Sequence, residues 1–319
     1  MNKTKFYSLV GLLSIGYFAA SCGESKPKDG RTDTYTSGVI EITSDESFSP
    51  IIQEEIDVFE GLHKDAIICP IFTDEVNAIN MLLHDSVRLA IATRKFTEGE
   101  MKAFLKQKRV PVAIPIATDG LAFIVNKENH DTLISVDNIR RILTGQAKKW
   151  TDINPSSSNA NDITLVFDNP NSSTVRFAID SICGGKKITA PNVRAVKTSQ
   201  QVLDYISKSK NAIGVIGVNW LTDKADSLCL TFKSGVTVMS VSGSKTATKD
   251  NSFKPFQYYL FSEQYPLRRT IYALVNDPRR CLSWGFAQFL SRDKGQKVIL
   301  KAGLLPEMPV MIRATHINE

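Results

Sequence analysis

The sequence predicts an α/β protein of two lobes, each a mixed sheet flanked by helices, joined by extended hinge strands. Three observations carry that expectation. Short apolar runs alternate along the chain with segments of 3.6-residue apolar period. The 319 residues suffice for about two domains. An apolar stretch over residues 111–126, broken at Thr118-Asp119-Gly120, is too long for one ordinary strand and suits a crossing between lobes. A hinged binding protein and a two-domain enzyme both fit this plan.

The first strand is expected at residues 39–42, running into the hydroxyl-rich Thr43-Ser44-Asp45-Glu46-Ser47. Ile52, Ile56 and Phe59 then share a helical face, and residues 66–71 read as a second buried strand. Thr73 is placed to cap a helix whose inner face is Val76, Ile79 and Leu83. Residues 88–92 give a third strand. Thr97-x-x-Glu100 has capping-box spacing, in which hydroxyl and carboxylate satisfy each other's orphan amides. Ser135 caps a helix carrying Ile139, Ile142 and Leu143, closed by Gly145. A strand at 163–167 leads to Asn169-Pro170-Asn171-Ser172-Ser173-Thr174, which opens the next helix. Ser199 caps another, with Val202, Leu203 and Ile206 inward, before a strand at 212–215. Two helices at 282–290 and 294–301 follow, with Gly303 at the stop.

The composition, 42% hydrophobic and 23% charged, excludes disorder, collagen and coiled coil. No run of about 18 apolar residues follows the N-terminus, which excludes a multi-span membrane protein. Residues 1–21 read as a leader, with Lys3 and Lys5 ahead of an apolar core. Cys22, directly after Ala19-Ala20-Ser21, resembles the lipobox cysteine of bacterial lipoproteins. That resemblance implies export, lipidation of Cys22 and anchoring in the bacterial cell envelope. Residues 22–37 read as a polar tether, 38–117 as the first part of lobe 1, 118–230 as lobe 2 and 231–319 as the return to lobe 1. Without the leader the net charge falls from +6 to +4, with no basic cluster, so nucleic acid is not an expected partner. The wide spacing of Cys69, Cys183, Cys229 and Cys281 leaves one disulfide and four buried thiols both open.

Familiar catalytic signatures are missing from the sequence: no G-x-S-x-G, no P-loop, no G-x-G-x-x-G and no H-E-x-x-H. His63, His84, His130 and His316 are scattered without metal-ligand spacing. An enzyme is not expected, nor a metal or cofactor. What recurs is a strand running straight into a hydroxyl-rich helix start, at Thr43-Ser44-Asp45-Glu46-Ser47 and at Ser172-Ser173-Thr174. Unpaired amides at a helix start welcome an oxyanion, and hydroxyls add donors. Plain capping accounts for either loop alone. Two such loops, one per lobe, point to an anion site between lobes.

An ordered series of motifs then resembles the PstS-like phosphate-binding proteins of bacterial phosphate ABC transporters. The series includes Ile91-Ala92-Thr93-Arg94 and the hinge Ile114-Pro115-Ile116-Ala117-Thr118-Asp119-Gly120-Leu121-Ala122-Phe123-Ile124-Val125-Asn126. It continues with Ile139 to Gly145, Trp150 and Asp152, then the Ser172-Ser173-Thr174 loop and Ala212-Ile213-Gly214-Val215. Tyr265-Pro266-Leu267-Arg268-Arg269 and Gly295-Gln296 with Gly303 and Pro306 complete it. The resemblance implies a type II periplasmic binding protein fold that captures inorganic phosphate between two lobes and delivers it to ABC permease subunits. It implies a ligand set of Thr43, Ser44, Asp45, Ser47, Thr93, Arg94, Asp168, Ser172, Ser173, Thr174 and Arg176. Three positions depart from the family: Asp168 stands for an Arg, Ser173 for a Gly, and Arg94 for the Asp that accepts a phosphate proton. Arg94 is therefore expected to donate, and Asp168 or Asp45 to accept that proton. Another oxyanion or small polar metabolite in the same fold, or a sensor lipoprotein without phosphate binding, remains open.

Overall fold

The computed structural model describes residues 30–310 apart from 224 and 227–230. The leader, Cys22, the first part of the tether and Cys229 lie outside the described residues. β1 (Gly38–Asp45) passes through a 3₁₀ turn (Glu46–Phe48) into α1 (Ser49–Leu62). β2 (Ala66–Thr73), α2 (Glu75–Leu83), β3 (Leu89–Ala92) and α3 (Glu98–Lys106) follow. β4 (Val112–Val125) leads to β5 (Leu133–Ser135), α4 (Val136–Leu143), α5 (Trp150–Ile153) and β6 (Thr164–Phe167). Then come α6 (Ser173–Phe177), a π-helical turn (Ala178–Ile182), β7 (Val193–Ala195), α7 (Ser199–Lys208) and β8 (Ala212–Gly217). β9 (Thr237–Val238), β10 (Ser240–Ser242), α8 (Gln257–Phe261), β11 (Arg268–Val275), α9 (Leu282–Leu290), α10 (Asp293–Lys301) and β12 (Leu305–Pro306) complete the order.

The main sheet runs β2-β1-β3-β11-β4-β8-β6-β7. β1, β2 and β3 are parallel, as are β6, β7 and β8, while β11 and β4 cross between the two sets antiparallel to their neighbours. The stretch expected to be too long for one strand is a single strand. β4 pairs with β11 over Val112 to Gly120 and with β8 over Leu121 to Val125, so two partners in turn satisfy its backbone. Pro115 is tolerated beside a register shift opposite Ile271 and Tyr272, and Gln296 donates to the nearby Ile116 carbonyl at 2.8 Å.

Both faces of each half are covered, which is why these strands read as near-continuous apolar runs. In β4, Leu121, Phe123 and Val125 enter one core with Trp150 and Phe167, while Ala122 and Ile124 enter another with Val202 and Ile206. In the first half, Ile40, Ile42, Leu89 and Ile91 pack on Phe48, Phe59 and Phe286, and Ala90 and Ala92 face Ile79 and Phe104. Met239, Val241, Leu260, Tyr265 and Leu267 belong to the second-half core, so the chain rejoins the first half at β11 rather than near residue 231.

The Thr97–Glu100 capping box and the Ser135 cap form as expected, and Gly145 and Gly303 stop their helices at φ +76° and +81°. Two caps shift by one residue. Asp74, not Thr73, caps α2 by accepting from the Asn77 amide at 2.9 Å, because Thr73 is still paired in β2. The inner face of α2 is accordingly Glu75, Ala78, Ile79 and Leu82, and Val76 is exposed. Thr198, not Ser199, caps α7, which frees Ser199 for a contact described below. Cys69 is exposed and Cys183 buried, both as free thiols, and Cys281 is buried.

Candidate functional site

β1 ends at the carboxylate Asp45 and β6 is followed directly by the carboxylate Asp168, and each leads into hydroxyl residues. The two sets of strands run in opposite senses across β11, β4 and β8, so the carboxyl ends of β1 and β6 point toward one another and the two loops meet where the sheet halves join. Ser47 donates to Asp168 Oδ2 at 2.9 Å, and Ser172 to Asp168 Oδ1 at 2.6 Å. Thr174 also donates to Asp168 Oδ1, and the hydroxyls of Ser172 and Thr174 lie 2.7 Å apart. Asp45 accepts the amides of Ser47 and Ser173, each at 2.8 Å. These residues are buried, none more than 2% exposed, so every one of these polar groups depends on a partner.

A guanidinium completes the cluster. Arg269, at the start of β11, donates Nη1 to Ser173 Oγ at 2.9 Å and Nε to Asp119 Oδ2 at 2.8 Å, while its Nη2 has no hydrogen-bond partner. Its guanidinium lies 5.0 Å over the Phe48 ring. A Cβ at Gly217, the last residue of β8, would stand 3.1 Å from Asp119 Oδ2 and 3.3 Å from Arg269 Nη2, so glycine gives this pair its room. The Ser47 carbonyl accepts from Asn219 Nδ2 and Trp220 Nε1, at 3.0 and 2.9 Å, on the turn after β8.

The other expected residues fall in three places. Thr43 donates to the Ala78 carbonyl and ties β1 to α2, and Ser44 donates to the Asp45 carbonyl. Thr93 and Arg176 meet at Glu75: the Thr93 amide and hydroxyl donate to Oε1, and Arg176 Nε to Oε2, linking α6 to the first half. Arg94 makes two bonds to Glu100, at 2.8 and 2.7 Å, and does not join the buried cluster. The capping carboxylate of α3 holds it there. Glu46 reaches across to the start of α7, accepting from the Ser199 amide and hydroxyl.

The carboxylates respond to this crowding. Burial, then repulsion from Asp168 and Glu75, pushes Asp45 up to about 6. Burial also pushes Asp119 and Glu46 up, against the pull of Arg269 on one and Ser199 on the other. At Glu75 burial opposes ionisation, but Arg176 and Thr93 outweigh it and hold the carboxyl below its usual range. Among the described residues no group of three or more His, Cys, Asp or Glu is arranged to hold a metal.

Sequence reasoning missed Arg269, Asp119, Glu75 and Asn219. A signal is present for Asp119, the one charge in the long apolar strand β4, and the sheet register then makes Arg269 its direct partner.

A family model described as the PBP superfamily domain matches residues 29–294. The chain belongs to the PBP superfamily. Relatives within reach of this superfamily member include the Phosphate-binding protein PstS of Pseudomonas aeruginosa, 27% identical over 253 residues, or 75% of this chain and 73% of that one. The Phosphate-binding protein PstS of Bacillus subtilis is 22% identical, covering 96% of this chain and 95% of its own. Among solved structures, a putative phosphate ABC transporter substrate-binding protein with bound phosphate from Clostridium perfringens superposes with TM-score 0.70 at 20% identity. The match covers 85% of this chain and all of that one. The fold of this PBP superfamily member is the type II periplasmic binding architecture expected from the sequence.

Proposed function

We propose that this protein captures inorganic phosphate outside the cytoplasm and delivers it to the permease of an ABC importer. The observation that carries the reading is the convergence of Ser47 with Ser172, Ser173, Thr174 and Arg269 in one buried cluster built from both sheet halves. The names of the relatives in two bacterial genera agree with it. Residues 38–117 with the chain from β11 onward act as one lobe and 118–267 as the other, with β4 and β11 as the hinge. Cys22 carries the lipid that anchors the protein in the cell envelope, and residues 22–37 are its tether.

An entering phosphate takes over donors that now serve the protein's own carboxylates. Ser47, Ser172 and Thr174 turn from Asp168 to the phosphate oxygens, and the Ser173 amide and Arg269 Nη2 add to them. Asp45 or Asp168 accepts the phosphate proton. Sulfate carries no proton at neutral pH and would set an oxygen against a carboxylate, an unpaired and repulsive contact. Binding involves no bond making, so no catalytic residue is assigned.

The test is calorimetric titration of protein stripped of ligand by unfolding and refolding. Phosphate and arsenate binding one-to-one, with sulfate silent, is the expected result. Silence with all three would return the site to another oxyanion, a polar metabolite or a sensor role.

A further inference from the structure

The cluster holds more carboxylates than cations, and this bears on the form of phosphate it accepts, on the footing of the reading above. Each guanidinium near the site already has a carboxylate partner. Arg269 is paired with Asp119, Arg176 with Glu75 and Asp180, and Arg94 with Glu100. Glu46 is turned to the start of α7. Asp45 and Asp168 are left facing one another's loops with only hydroxyl and amide partners.

A doubly charged hydrogen phosphate would add two charges to this surplus and bring one proton for two acceptors. One carboxylate would then face a bare phosphate oxygen inside the protein, where like charges repel with little screening. Dihydrogen phosphate brings one charge and two hydroxyls. Its two remaining oxygens suit the hydroxyls of Ser47, Ser172, Ser173 and Thr174 and the unpartnered Nη2 of Arg269. We infer that the site closes on phosphate as the singly charged dihydrogen form, one phosphate hydroxyl directed to Asp45 and the other to Asp168. The upward push on Asp45 agrees, since a group that already holds a proton weakly near neutrality is fitted to share one.

The experiment is the same phosphate titration repeated from pH 6 to 8.5, each point in two buffers of different ionisation heat. Apparent affinity for total phosphate should fall about tenfold per pH unit once phosphate's second ionisation is passed, with close to one proton taken up per phosphate bound. Asp45→Asn, which removes one acceptor and its charge, should flatten that slope by admitting the doubly charged form. Affinity that is level or rising with pH, or proton release on binding, would overturn the inference and leave the phosphate reading standing. Absence of phosphate binding at every pH would overturn both.

Discussion

Ser47 and Asp168 stand 121 residues apart in the chain and meet in a buried 2.9 Å hydrogen bond. Ser47 lies in the turn after β1 and Asp168 directly follows β6, so the contact joins the two sheet halves without any covalent crossing. The same hydroxyl is the donor an anion would need. Under the proposed function, closure of the protein and capture of its ligand use one set of groups, and ligand exchange is a swap of acceptors.

That swap makes the second loop the place to weaken binding. Replacing Ser172→Ala together with Thr174→Val removes two donors to a charged partner, each worth about 1.5–3 kcal/mol. Phosphate affinity should fall by at least about 100-fold in calorimetry. Unchanged affinity would place the ligand elsewhere.

Arg269 and Asp119 form an ion pair that is 4% and 0% exposed. Arg269→Met leaves the Asp119 carboxylate buried without a counter-charge, and urea unfolding should show a loss of about 3–5 kcal/mol. Asp119→Leu added to it should restore most of the stability but none of the phosphate affinity. Affinity recovered in the double variant would remove Arg269 from the site.

Asp45 and Glu75 should give pH dependences of opposite sign. Asp45 is raised from 3.8 to about 6, so the folded protein binds its proton more tightly than the unfolded chain. Ligand-free stability should fall as pH rises from about 4 to 6, and Asp45→Asn should abolish that component. Glu75 is held below its ordinary 4.5 by Arg176 and Thr93, so its contribution is complete above that value and lost as pH falls through the depressed one. Glu75→Gln should be less stable than the parent at pH 6 and approach it in strong acid. Thermal unfolding across pH checks both.

Glu55 is buried on the inner face of α1 among Ile51, Ile52 and Phe48, and neither of its carboxyl oxygens has a hydrogen-bond partner. Burial pushes it up to about 9, so it is neutral at physiological pH and its charging opposes folding as pH rises from 4.5 toward 9. Glu55→Met should raise stability by about 1–3 kcal/mol, the ordinary cost of an unsatisfied buried polar group. The gain should grow between pH 7 and 9. A loss of stability would mean that the carboxyl has a partner.

The period-2 and 3.6-period patterns were legible because burial on both faces leaves a residue-by-residue record, as in Leu121 to Val125. The hydroxyl loops were legible too, since helix starts need them. Arg94 was placed by its position in a motif, yet Glu100 three residues into α3 claims it, and a cap that already faces the Thr97 amide is the nearer partner. Glu75 belongs to no motif, and only the approach of α6 with Arg176, 101 residues away, gives it a role.

The sequence by itself determined the α/β plan, the two loops that begin at Asp45 and Asp168, and the family, because each depends on residues close together in the chain. Only the tertiary structure decided which charges share the site. Arg269 reaches Ser173 across 96 residues and Asp119 across 150, and an ion pair between strands has no sequence period to announce it. Burial then sets the protonation of Asp45, and burial is a property of the packed whole rather than of any local stretch.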